Sequence, residues 1–299
     1  MGKKLNIGTV LILLAGILWG CMGLFVRPLD GKGLSSLDMV FLRSLLTMVF
    51  MGIFILIKDR SLFKIRLKDC WCFLGTGLFS IVFFNICYFY EITLTSLSVA
   101  AILLYTSPAF VMVISAFCFK EKLTSRKILA LLLSFAGLIF VTGVAGGGER
   151  ITFKVLAIGL CAGLGYALYS VFGRYCLDRG YNTYTISFYT FLLAAVATLP
   201  FAGHKEIVRV CTSSLSSIAF TVVFVFVSTI IPYLVYTAGL KTVENSRAAI
   251  IASVEPVVAT LNGIFLFGEK MTLWVGLGIV LVLGGICLAN TGNGDKIEG

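Results

Sequence analysis

Apolar residues in this chain fall into long runs separated by short polar stretches. An α-helix rises 1.5 Å per residue, so about 20 apolar residues cross a hydrocarbon layer of ~30 Å. Ten runs approach or reach that length: 7–26, 37–57, 70–92, 97–119, 125–143, 155–175, 184–202, 216–240, 246–267 and 273–289. Each predicts a transmembrane helix, the form in which a single segment satisfies its own backbone groups away from water. The first run is too long for the apolar core of a signal peptide and lacks a small-residue cleavage site. The fold class expected is all-α integral membrane with ten transmembrane helices, because no polar stretch is long enough for a soluble domain.

The pattern repeats. Residues 98–137 and 246–285 align without a gap at an offset of 148, with 13 identities in 40 positions. The identities include Pro108 with Pro256, Glu121-Lys122 with Glu269-Lys270 and Thr124 with Thr272. Shared hydrophobicity accounts for matched Leu and Ala, but not for a proline and a Glu-Lys-x-Thr in register. The chain therefore reads as a duplication, with five-helix repeats over 1–145 and 150–292 and Gly146-Gly147-Gly148 in the linker between them. Five is odd, so the halves enter the membrane in opposite senses. Inverted repeats of this kind build many secondary transporters, with the site near the midplane between the halves.

Composition agrees: 59% of the 299 residues are hydrophobic and 13% charged, against about a quarter charged in soluble domains. The net charge of +10 needs no nucleic acid to explain it. With the N-terminus in the cytoplasm, 16 Lys and Arg fall in cytoplasmic segments and 7 in external ones, and Arg43 lies inside the second span. The bias places both termini in the cytoplasm of a multi-pass protein of the plasma membrane. The nine cysteines and single histidine show neither metal-ligand spacing nor a disulfide framework, and nothing calls for a cofactor.

Several residues inside the apolar runs carry chemistry. Glu255 lies about 12 Å along its span from Arg247, deep enough that an ionised carboxylate is costly unless paired or wetted. It is a candidate proton carrier or partner for a substrate amine; the structural alternative is a protonated group bonded to a carbonyl near Pro256. Arg43 either snorkels outward, pairs with Glu91 or meets substrate. Pro108 and Pro256 each remove a helix hydrogen bond in mid-span, producing a kink that faces a cavity or serves packing. Trp19, Asn85, Tyr88, Tyr105, Tyr166, Tyr169, Tyr233 and Tyr236 are polar aromatics or amides needing partners away from water. Tyr88 and Tyr236 are repeat mates and are expected to face each other across the pseudo-two-fold axis. Gly16/Gly20 and Gly159/Gly163 have the spacing of close helix contacts. Thr124 and Thr272 are placed to cap the helices that come after them.

These features together resemble the EamA-type drug/metabolite transporters. Val254-Glu255-Pro256 and Gly268-Glu269 are similar to that family's L-E-P and G-E, with Ser107-Pro108 and Phe119-Lys120-Glu121 as the first-half versions. Phe41-Leu42-Arg43 resembles the family's second-helix R-F signature, without the following Phe. The resemblance implies export of small metabolites, often amino acids or related compounds, without ATP or a bound cofactor, and favours a cavity beside the proline kinks. The expected partners are a small-molecule substrate and the lipid bilayer, with Glu255 the candidate for proton coupling; oligomeric state is not legible. An exporter of lipophilic cations is the alternative transport reading. An intramembrane enzyme would need a nucleophile–base pair, a carboxylate dyad or metal ligands, and no such cluster is evident.

Overall fold

A computed structural model describes residues 6–142 and 151–291. Lys3, Lys4, the glycine linker, the expected repeat limits and the tail after 291 lie outside the described residues. Among those described, every element is helical. Nine segments among the described residues are long and apolar enough to cross a membrane: Ile7–Asp30, Ser36–Lys58, Leu67–Ile92, Leu97–Cys118, Phe153–Asp178, Thr183–Phe201, Leu215–Gly239, Asn245–Phe267 and Leu273–Asn290. The expected fifth span is a helix of 17 residues, Ser125–Val141, roughly 25 Å at helical rise and so at the lower limit for a crossing. It packs along the tenth span so closely that a Cβ on Gly137 would stand 2.6 Å from the Gly278 carbonyl oxygen.

The outward faces are apolar, as with Ile57, Phe117 and Leu273, each more than four-fifths exposed, and such a surface matches acyl chains rather than water. The main core lies between the first, sixth, eighth and ninth spans, where Ile12, Trp19, Tyr169, Tyr236, Ile251 and Val257 are buried together. Thr124 and Thr272 cap their helices as expected, accepting hydrogen bonds from Lys127 N (3.4 Å) and Val275 N (3.2 Å).

The duplication recurs in the distortions of the helices. The third span contains a π-helical stretch at Gly75–Val82 and the eighth at Phe226–Ile230, and π turns widen a helix where side chains must be re-aimed. The fourth span is two helices, Leu97–Leu104 and Ser107–Cys118; the ninth is likewise Asn245–Ala252 and Val254–Phe267. This corrects the expected proline kinks. Pro108 and Pro256 do not subtract a hydrogen bond from a continuous helix. They sit in the first turn of a new one, where the missing N–H would have no intrahelical partner. After each of these spans the chain turns through a left-handed residue, Lys120 (φ 56°) and its repeat mate Gly268 (φ 70°).

Two further elements differ from expectation. The first span breaks at Cys21-Met22 and resumes as Gly23–Asp30. The segment expected as a loop near 203–215 contains a helix, His204–Cys211, whose Ile207, Val210 and Cys211 are buried. Its alternating charges hid a short amphipathic face.

Candidate functional site: a central cavity at the broken helices

The breaks in the fourth and ninth spans lie about ten residues from the start of each, or ~15 Å at helical rise, and so at mid-membrane depth. Small residues let other helices lean on them. A Cβ on Gly20 of the first span would come within 2.6 Å of the Glu255 carbonyl oxygen. One on Gly163 of the sixth span would crowd Thr106 Oγ1 and, at 2.9 Å, the Leu103 carbonyl oxygen. The small-xxx-small pairs thus hold the two break points.

Between the halves lies a small cavity walled largely by aromatic and apolar side chains from both repeats. Both breaks open into it, through Tyr105 and Ser107 on one side and Ser253 and Glu255 on the other. Glu255 is half-buried in the first turn of Val254–Phe267, where the positive end of the helix dipole favours a carboxylate. Its Oε2 accepts a hydrogen bond from the Tyr166 hydroxyl at 2.9 Å. Trp19 forms the adjoining wall, its ring centroid 5.2 Å from that of Tyr233 and 5.3 Å from that of Tyr236. The hydroxyls behind this wall are paired: Tyr169 with Thr237 Oγ1 at 2.8 Å and Tyr236 with Ser170 Oγ at 2.7 Å. Those bonds fix the rings.

Of the residues singled out in the sequence, Trp19, Tyr105, Tyr166, Tyr169, Tyr233, Tyr236, Glu255 and Pro108 line this cavity. Pro256 lies on a smaller neighbouring pocket that Tyr105, Pro108 and Ser253 also border. Arg43, Asn85 and Tyr88 do not line the central cavity. Arg43 is buried, donating to Asn85 Oδ1 and to Met22 Sδ, each at 3.4 Å. Asn85 in turn donates to the Ile81 carbonyl at 2.6 Å. Arg43 makes no ion pair with Glu91, whose two oxygens are buried without a hydrogen-bond partner among the described residues. Glu91 is turned instead toward Gly159 and the sixth span. The expected meeting of Tyr88 and Tyr236 does not occur: the Tyr88 ring makes tilted contacts with Phe84 and Phe89, and Tyr236 with Trp19 and Tyr169. Their helices carry π-helical stretches of unequal length, so equal sequence offset does not give equal direction.

Ser80 and Ser253 also line the cavity, although nothing in their local sequence marks them. The repeat held the signal for both. Ser80 is matched by Ser228, and Ser253 is the mate of Tyr105.

A chain of membrane-crossing helices in two repeats, with a cavity between broken helices, has the architecture of a carrier. Residues 6–143 and 153–291 each match the EamA-like transporter family, and the chain belongs to that family. It is 29% identical over 289 residues to an uncharacterized transporter of Archaeoglobus fulgidus, covering 96% of this chain and 97% of the relative. It is 24% identical over 195 residues to a probable amino-acid metabolite efflux pump of Salmonella typhimurium, covering 62% of this chain and 65% of that protein. A solved crystal structure superposes with a TM-score of 0.74 at 18% identity, covering 94% of this chain and 96% of that one, a likeness of fold.

Proposed function

We propose that this multi-pass membrane protein is a secondary transporter that exports a small metabolite, an amino acid or related compound, by alternating access. The observation that carries the reading is the carboxylate of Glu255 at the broken ninth span, hydrogen-bonded to Tyr166 and opening into the aromatic cavity. A carboxylate there matches a substrate ammonium or a coupling proton. Trp19, Tyr233 and Tyr236 offer rings to an apolar side chain and a cation–π surface to the amine. Arg43, buried without a carboxylate partner among the described residues, adds positive potential for a carboxylate or phosphate as the halves move. The repeats run over 1–145 and 150–292 in opposite senses, and both termini face the cytoplasm of a plasma-membrane protein.

Counterflow in proteoliposomes tests this. A panel of amino acids and derivatives should include at least one that exchanges for its labelled self, leaves the label chemically unchanged and competes with its methyl ester poorly. Counterflow confined to lipophilic cations would favour the second reading, a multidrug exporter, which the aromatic walls around one carboxylate also suit. No counterflow by any class, with chemically altered label, would overturn both.

A further inference from the structure

The two ends of the molecule share a glutamate after a left-handed turn and a serine on an eight-residue helix, and they are joined differently. Glu121 comes after the fourth span, in the turn set by the left-handed Lys120 and by its own N–H donating to the Ser115 carbonyl at 3.2 Å. Its carboxylate reaches across to the other half of the chain. There it accepts from Asn245 N at 2.7 Å, from Ser246 N at 3.1 Å and from the Ser246 hydroxyl. It thereby caps the helix Asn245–Ala252, whose N-cap residue Glu244 provides no side-chain cap bond of its own. Lys127 pairs with Glu244 at 2.8 Å beside it, and Asn245 and Ser246 are wholly buried. At that end the two halves are tied together.

At the opposite end the carboxylate, the left-handed turn before it, the eight-residue helix and its serine recur at an offset of 148, while Lys127 and Glu244 have Val275 and Ser96 as mates. Glu269 comes after the left-handed Gly268, and its N–H donates to the Gly263 carbonyl at 3.1 Å, the mate of Ser115. The mate of Asn245–Ala252 is Leu97–Leu104, again eight residues, and the mate of Ser246 is Ser98. Yet the Glu269 carboxylate is held by Arg27 Nη2 at 2.9 Å, with both side chains about half exposed. Leu97 is 59% exposed. Here the cap of Leu97–Leu104 is Ser96, which accepts from Val99 N.

We infer that Glu121 and Glu269 are alternating latches, each closing one end of the cavity by capping the first turn of the broken span of the other half. In this structure the Glu121 latch is closed and the Glu269 latch open. Inverted repeats exchange conformations as a carrier cycles. In the opposite state Glu269 leaves Arg27 for the Leu97 and Ser98 amides and the Ser98 hydroxyl, and Glu121 releases Asn245 and Ser246. An ionised carboxylate on a helix N-terminus is strong enough to hold an end closed and local enough to release. This inference rests on the alternating-access reading, though not on the identity of the substrate.

Paired cysteines in the full chain in proteoliposomes test it, with native cysteines retained and adducts identified by mass spectrometry. Glu121→Cys with Ser246→Cys should form a disulfide, and so should Ser98→Cys with Glu269→Cys, the second reporting a state other than the one seen in this structure. Glu121→Gln added to the 98/269 pair should raise that adduct several-fold. Glu269→Gln added to the 121/246 pair should raise the other. If Glu121 were merely structural, Glu121→Gln would instead lower the 98/269 yield together with thermal stability, and that outcome overturns the inference. So does absence of the 98/269 adduct, with and without Glu121→Gln, in protein whose 121/246 pair does cross-link. No substrate is needed, so these results stand apart from a failed amino-acid panel.

Discussion

The fourth and ninth spans began as the same helix and still break at the same place, yet they offer the cavity different chemistry. Both are interrupted two or three residues before a proline, and both set a side chain at the start of the second helix facing the cavity. In the fourth span that residue is Ser107, in the ninth Glu255. On the other side of the break the order is reversed, with the bulky Tyr105 in the fourth span and the small Ser253 in the ninth. The break is thus a property of the ancestral repeat and the charge a property of one copy. A carboxylate at one break and a phenol at the other make the two sides of the site unlike, which a symmetric pair would not. The comparison also separates what holds the cavity open, the glycine contacts and prolines, from what selects its occupant.

The sharpest way to break the comparison is to remove the charge. Glu255→Gln keeps shape and hydrogen bonding but does not titrate. Flux driven by a pH gradient should fall at least a hundredfold while substrate exchange persists, if the residue carries the proton. If it holds the amine, the affinity measured by isothermal calorimetry should fall instead. Unchanged flux and affinity at every pH would reduce Glu255 to a structural group. Next in size is Ser107→Glu, which makes the spans alike by burying a second carboxylate at a site only 3% exposed. An unpaired buried charge costs several kcal/mol, so thermal unfolding in detergent should come markedly earlier and transport should be lost.

Tyr166→Phe removes the hydroxyl bonded to Glu255. A hydrogen bond to a charged group contributes about 1.5–3 kcal/mol, so substrate affinity should weaken roughly ten- to hundredfold with expression intact. Among the repeat-mated tyrosines, Tyr236→Phe should reduce flux more than Tyr88→Phe, because only Tyr236 lines the cavity and holds Ser170. Equal effects would mean that Tyr88 reaches the site in another state. The smallest effect concerns the turns after the two spans. Lys120 holds a left-handed conformation that its mate Gly268 adopts without strain, so Lys120→Gly should stabilise by up to about 1 kcal/mol, less the entropy gained by the unfolded chain. A small rise in melting temperature with unchanged flux is the expected readout.

Sequence alone determined the class, the number of runs to within one short helix and the duplication. Each depends on local quantities: hydrophobic length, spacing and identity at a constant offset. It also marked Gly16/Gly20 and Gly159/Gly163 as contacts, since small residues four apart line one helix face whatever they meet. The tertiary structure alone decided which polar residues converge. Tyr88 and Asn85 share a span with the cavity residues Ser80, Ile81 and Phe84 yet do not line the cavity, Asn85 being held by Arg43 and the Ile81 carbonyl and Tyr88 by the Phe84 and Phe89 rings. Arg43 and Glu91 sit at similar depth but on faces directed to different neighbours. The prolines read as kinks because sequence shows a missing N–H and not where the hydrogen-bond ladder restarts. Even the latch of Glu121 on Ser246 joins residues 125 apart in the chain. The repeat supplies a matching carboxylate and serine at both ends, and only packing between the halves decides which end is joined.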